Sequence, residues 1–75
     1  MKATIKQCDY LNGLKARVNA IYERYPALGP NMSPQWDWRG EVERGMTAKD
    51  ASERITAYHS LIIGLRLKAD LLGLT

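Results

Sequence analysis

Hydrophobic residues recur at helical spacing throughout the last third of the chain. They follow one another at alternating steps of four and three, which places them in a single stripe along a helix. The stripe consists of Ala51, Ile55, Tyr58, Ile62, Leu65, Ala69 and Leu72. Thr47, with Asp50 three positions later, has the spacing of a capping box, in which each side chain bonds the other residue's backbone N–H. The pattern predicts a long helix over residues 48–73.

The same segment carries a second apolar stripe on the opposite side of the helix, formed by Ile63, Leu67, Leu71 and Leu74. One helix in a small monomer cannot bury two opposite faces against its own chain. We therefore predict that this second stripe is covered by another copy of the protein, as the interface of a homodimer or higher oligomer.

A first helix is predicted over residues 4–25. Its apolar positions repeat at three and four: Ile5, Cys8, Leu11, Leu14, Val18, Ile21 and Tyr25. Pro26 ends the helix, because proline disfavours the helical conformation of the residue before it.

The same segment offers an alternative around Asn12-Gly13, a residue pair typical of two-residue hairpin turns. Residues 14–20 also alternate as a strand would, so residues 4–22 as a β-hairpin stay open at this point. The helix is favoured because the residues before the turn are poor in β-branched and aromatic types.

Residues 26–33 have no period and are predicted to be a connector. Ser33 followed by Pro34 is typical of a helix start, and Gly45 lies where it would end that helix. A short helix is therefore predicted over residues 34–44. The expected fold is all-α, a single domain over residues 1–75. It contains two long antiparallel helices with the short helix between them, and it oligomerises through the C-terminal helix.

Composition supports self-association. A chain of 75 residues buries only about 60% of its unfolded surface, so its own core is marginal. Cys8 is the only cysteine and His59 the only histidine, so neither an intrachain disulfide nor a structural zinc site can reinforce it. The lone thiol favours a cytoplasmic setting. Charged residues interrupt the apolar tail, so no membrane span is predicted.

Candidate chemistry is sparse. Cys8 and His59 would be misaligned as a nucleophile and base in an antiparallel pair of helices. The sequence also lacks a glycine-rich phosphate loop, metal-ligand spacing and a nucleophile elbow. We therefore predict no enzyme activity, no catalytic residues, no metal and no cofactor.

The segment Trp36-Asp37-Trp38-Arg39 is the most distinctive in the chain. An exposed tryptophan beside arginines has the composition of a protein-binding hot spot. Two tryptophans two positions apart on a helix point to different sides, so at most one is expected to be deeply buried. The predicted partner-binding residues are Trp36, Trp38, Arg39, Arg44, Lys49 and Arg54.

The leading hypothesis is a small non-enzymatic interaction protein that occludes or sequesters a protein partner, like the compact inhibitors of phages and mobile elements. One alternative is a DNA-binding regulator that uses residues 33–54 as a helix-turn-helix. Another is an oligomer that holds an anionic, nucleotide-type ligand between subunits, lined by tyrosines and the basic residues Lys6, Lys15, Arg17 and Arg24. A membrane-surface helix is disfavoured because cations are few.

Overall fold

The computed structural model describes residues 1–74 and is mostly helical. Helix α1 spans Ile5–Arg24, α2 spans Trp38–Glu43 and α3 spans Ala48–Leu71, with a short 3₁₀ turn at Pro26–Leu28. Within residues 1–74 there is no β-strand, and the backbone pairing outside helices is one isolated bridge between Lys2 and Thr47. The all-α prediction is confirmed, and the β-hairpin alternative is wrong because α1 runs unbroken through Asn12 and Gly13.

Both long helices begin at capping boxes. The Thr47 hydroxyl accepts the Asp50 backbone N–H, and the Asp50 carboxylate accepts the Thr47 N–H in return, as predicted. Thr4 and Gln7 make the same reciprocal pair at the start of α1. Each box satisfies two backbone donors that the first helical turn leaves unpaired.

The short helix α2 begins four residues later than predicted. Asp37 is its N-cap, because its carboxylate accepts the backbone N–H of Arg39. Ser33 is not the cap: its hydroxyl and its backbone N–H both bond the side chain of Asn31 in a local turn. Helix α2 ends close to where it was predicted to end. Its last residue is Glu43, and Gly45 follows with a φ of 108°, a conformation that favours glycine.

The two long helices pack against each other, but they run parallel and not antiparallel as predicted. At their N-terminal ends, the Gln7 side chain donates to the backbone carbonyl of Ala48 at 3.3 Å. Near their C-terminal ends, Arg24 and Asp70 border the same cleft. Chain positions therefore increase in the same direction along both helices.

The segment between α1 and α3, residues 25–47, explains this direction, because it runs back along α1 to the residues where α1 began; we call this whole segment the connector from here on. Its polar contacts with α1 occur in reverse order along the chain: Asn19 with Gln35, Lys15 with Trp36, Asn12 with Asp37 and Asp9 with Arg39. The connector ends beside the first residues of the chain, where the Ala3 N–H donates to the Met46 carbonyl and the Ala48 N–H donates to the Met1 carbonyl. Helix α3 therefore starts beside the start of α1.

The core lies between α1 and α3 and is closed by one side chain from α2. Its buried members are Ala3, Cys8, Leu11, Leu14, Val18, Leu28, Trp38, Ala51, Tyr58, Ile62, Leu65 and Ala69. Most of these belong to the two predicted stripes. Leu74 also packs against the core and is half-buried, with its N–H bonded to the Ala69 carbonyl. Leu74 is therefore not part of the exposed stripe on α3, in contrast to the prediction.

Gly13 lies inside α1 with nothing within 4 Å of the position of an added Cβ. We predict that Gly13→Ala raises the free energy of unfolding by roughly 0.5–1 kcal/mol, because alanine loses less backbone entropy in a helix. Urea denaturation followed by circular dichroism measures this change. A destabilised variant would show that another surface approaches Gly13 closely.

Candidate interaction surfaces

The two tryptophans are placed differently. The Trp38 side chain is 2% exposed, whereas Trp36 is 48% exposed. Their rings meet edge to face with centroids 5.7 Å apart, and Trp38 meets Tyr58 of α3 in the same way at 5.9 Å. Trp38 also donates its indole N–H to the Tyr58 hydroxyl at 3.3 Å. Trp38 is therefore a core residue that offers a partner no surface, and we remove it from the candidate site.

Trp36 is exposed but held in place. Its backbone carbonyl accepts a hydrogen bond from the Lys15 ammonium at 3.0 Å. The next residue, Asp37, accepts from the Asn12 amide at 3.0 Å, and the Trp38 N–H donates to the Asn12 oxygen at 3.1 Å. With its carbonyl and the two following residues bonded to α1 and its ring against Trp38, the Trp36 indole loses little further freedom on binding.

The predicted arginines of the connector take part in exposed ion pairs. Arg39 contacts Asp9 at 3.2 Å and Arg44 contacts Glu41 at 2.8 Å, with both arginine side chains largely exposed. Exposed pairs of this kind contribute about 0–1 kcal/mol. Arg39 is adjacent to the tryptophans in sequence and its pairing with Asp9 across to α1 keeps it near them. Arg44 is at the far end of α2.

Lys49 and Arg54 belong to the first half of α3, and the structure does not gather them with Arg39 and Arg44 into one cluster. Lys49 is exposed in the first turn. Arg54 borders a cleft of about 130 Å³ between the connector and α3, together with Pro34 and Tyr58. Among the described residues α2 packs against α1 and makes no close backbone approach to α3. Residues 33–54 therefore lack the mutually packed helix pair of a helix-turn-helix.

The outer face of α3 exposes a stripe of large apolar side chains. Ile63 is 61% exposed, Leu67 58% and Leu71 87%, and they lie one helical turn apart. We call these three residues the α3 stripe. Between Ile63 and Leu67 lies Gly64, where an added Cβ would meet nothing within 4 Å. The chain itself therefore does not cover this face.

Cys8 and His59 are not paired. The Cys8 thiol is buried beneath a groove that Ile5 and Val42 border, facing α2. Burial is the largest cause that raises the pKa of this thiol, and the Asp9 carboxylate raises it further, so the thiol is protonated and unreactive at neutral pH. His59 instead bonds the Tyr10 hydroxyl through Nε2 at 2.9 Å.

None of the helices in residues 1–74 combines the length and apolarity needed to cross a bilayer. The same residues contain no group of three or more His, Cys, Asp or Glu side chains placed to hold a metal ion. Comparison with protein-family models, curated proteins and solved structures finds no match to this chain.

Sequence reasoning missed the polar side chains that fasten the connector. Asn12 and Asn19 lie seven residues apart on α1, and each bonds side chains from the connector: Asp37 for Asn12, and Asn31 and Gln35 for Asn19. The spacing of seven is a signal that the two asparagines share a face. Nothing in the sequence identifies their partners, because these are 12 to 25 residues away.

The N-cap carboxylate of Asp37 yields a prediction about pH. The Arg39 backbone N–H and then the Asn12 amide bond its charged form, so the pKa of Asp37 lies below its ordinary value. Its contribution to stability is therefore complete above the unfolded-state pKa and is lost as the pH falls through the folded-state pKa. We predict that Asp37→Asn, which keeps a good N-cap residue, loses less stability than the natural protein on acidification from neutral pH to about pH 2 to 3. Urea midpoints across this range measure the difference, and equal losses would contradict the assignment.

Proposed function

We propose that this protein is a small non-enzymatic helical interaction protein that sequesters a protein partner through Trp36. The observation that carries the proposal is a half-exposed indole on a backbone already fixed by hydrogen bonds. Large aromatic side chains that are ordered before binding are typical hot-spot anchors, because they bury much area at little entropic cost. The α1–α3 pair serves as the scaffold that presents this anchor.

The partner that fits this surface is a protein with an apolar pocket large enough for an indole ring. The charged groups nearest Trp36 include Lys15 and Arg39, of which Arg39 is already paired with Asp9. The charges around Trp36 therefore discriminate little between possible partners, and we infer that the indole supplies the affinity. Rim charges mainly affect the rate of association.

We further propose that a second copy of the chain covers the α3 stripe. The two parallel helices bury the face of α3 that contacts α1. The outer face of α3 has no partner within the chain, and it holds three large apolar side chains in successive turns. Because the domain is small, burial of this face would add to a marginal core. Gly64, at the edge of this face, leaves open space beside the α3 stripe for a second helix.

Trp36→Ala is predicted to keep the fold and abolish partner capture. Pull-down from the source cell, with mass spectrometry of the retained proteins, identifies what the natural protein holds and Trp36→Ala loses; that protein is then purified and titrated directly. Met32→Ala is the matched control, since Met32 is also an exposed apolar residue of the connector. Circular dichroism verifies folding. Binding that survives in Trp36→Ala, or is lost equally in Met32→Ala, would refute the assignment of Trp36 as the anchor.

Leu67→Lys is predicted to convert the assembly to a single-copy species, because it places a charge at the centre of the apolar contact. Light scattering at several protein concentrations measures the mass. Ile5→Lys makes the same chemical change at an exposed apolar residue of α1, away from the α3 stripe, and should leave the mass unchanged. A natural protein that is already a single copy would disprove self-association without bearing on Trp36.

A further inference from the structure

The side of the α1–α3 pair opposite the connector carries two adjoining clefts with a basic border. The first has a volume of about 200 Å³ and is lined by Arg17, His59, Ile62, Ile63 and Arg66. The second has a volume of about 430 Å³ and is lined by Ala20, Ile21, Arg24, Tyr25, Arg66, Ala69 and Asp70. Both clefts share Arg66, so they form one continuous surface. We call it the basic seam and define it by Arg17, Arg24, His59 and Arg66.

None of the salt bridges among residues 1–74 involves an arginine of the seam. The salt bridges of residues 1–74 are those of Arg39 and Arg44, both formed by residues of the connector side. No acidic residue lines the first cleft, and Asp70 is the one acidic residue that lines the second. The guanidinium of Arg24 lies over the ring of Tyr25, with 5.5 Å between its carbon and the ring centroid.

Most of the net charge of the protein resides on this side. The seam contains three arginines, Arg17, Arg24 and Arg66, and one acidic residue, Asp70, lines it, so it carries +2 (three minus one) of the net charge of +3. Helical spacing places Lys6 on the same ridge of α1 as Arg17 and Arg24, outside the two clefts.

Stabilisation of helix ends does not account for all of these cations. A cation near a helix C-terminus interacts with the helix dipole, but the effect falls off within the last turn. Arg24 occupies the last turn of α1 and satisfies this condition. Arg17 lies seven residues before the end of α1 and Arg66 five residues before the end of α3. Both arginines line the first cleft, away from the helix ends.

We propose that the basic seam is a binding site for a ligand that carries two or more phosphoryl groups. Arg17 and Arg66 bind one phosphoryl group in the first cleft, since guanidinium groups bind phosphate oxygens in bidentate fashion. His59 also lines this cleft; its Nε2 bonds the Tyr10 hydroxyl, and its other ring nitrogen can form a further hydrogen bond. A second phosphoryl group binds between Arg66 and Arg24. The Asp70 carboxylate lines the same cleft and repels this group, so the affinity of the second position is lower.

The spacing selects the ligand class. Arg17 and Arg24 are seven residues apart, or about 10 Å along the helix axis, so a ligand with several phosphoryl groups in a row can contact both side chains at once. A nucleoside polyphosphate and a nucleic-acid strand both present such a row. This inference does not depend on the proposed capture of a partner by Trp36, because the seam lies on the other side of the molecule from Trp36.

Fluorescence anisotropy with labelled ATP and with a labelled ten-residue oligothymidylate tests the proposal and separates the two sources. Binding of ATP alone assigns the site to free nucleotides, and tighter binding of the oligonucleotide assigns it to a strand; either result supports the seam. We expect Arg66→Ala to weaken the bound probe tenfold or more and Arg17→Ala to weaken it by a similar factor. Arg66→Lys should give an intermediate loss, because it keeps the charge but not the bidentate geometry.

Lys49→Ala is the matched control, since it removes the same charge from an exposed site on α3 outside the seam. It should change affinity less than twofold, and circular dichroism confirms that every variant is folded. Each lost phosphate contact should also lower the slope of log affinity against log salt by about one for the oligonucleotide. Failure of the natural protein to bind either probe at millimolar concentration, or equal losses for Lys49→Ala and Arg66→Ala, would overturn the proposal.

Discussion

The burial of Trp38 between the two long helices is the interaction on which the rest of the structure depends. Its ring contacts Tyr58 of α3, its indole N–H bonds the Tyr58 hydroxyl, and its backbone N–H bonds Asn12 of α1. One residue thus joins α2 to both long helices, with the polar groups of its indole and backbone satisfied. A buried tryptophan supplies a large apolar area, which matters most in a domain with a small core. The same contact orients the neighbouring Trp36 outward.

Anchoring the connector on α1 determines the direction of α3. Since the connector returns to the start of α1, the N-termini of both long helices lie at one end of the molecule and their C-termini at the other. Parallel helix dipoles side by side repel, and the charges at the two ends oppose this. Asp50 lies in the first turn of α3, while Arg24 and Lys68 lie in the last turns of α1 and α3. Lys68 also donates to the Leu28 carbonyl at 3.2 Å, which ties the 3₁₀ turn to α3.

The sequence was sufficient to predict the local structure and the faces of the long helices. Capping-box spacing located the start of α3, and the period of three and four separated most of the buried stripe from Ile63, Leu67 and Leu71, which are exposed. At the ends of the predicted stripes the period was wrong, since Ile5 and Leu72 are exposed. It also predicted that at most one of the two tryptophans would be deeply buried, which is confirmed, although the prediction placed both on one helix and Trp36 lies before α2. These features depend on residues within a few positions of one another, where helical geometry fixes the outcome.

The relative direction of the helices was not predictable in this way. It depends on hydrogen bonds such as those from Asn12 and Asn19 to residues at least 12 positions away. The proline-rich connector resembles a simple link, and a simple link between two amphipathic helices favours an antiparallel pair. The same error hid the basic seam, because only the parallel arrangement places Arg17 beside Arg66. One local prediction was also wrong. Ser33 was predicted to begin α2, but its hydroxyl bonds Asn31, and Asp37 is the N-cap of α2 instead.

The α3 stripe and the basic seam meet at Ile63, which borders the first cleft and is also the first residue of the stripe. A second copy packed on the stripe would therefore enclose Arg66 on one side and exclude water from its surroundings. A cation in such a place is costly unless an anion accompanies it. A phosphoryl group bound between Arg17 and Arg66 would remove that cost and thereby favour association. By thermodynamic linkage, association would strengthen phosphoryl binding by the same factor. The two proposed surfaces would thus be coupled through the geometry of a single helix face.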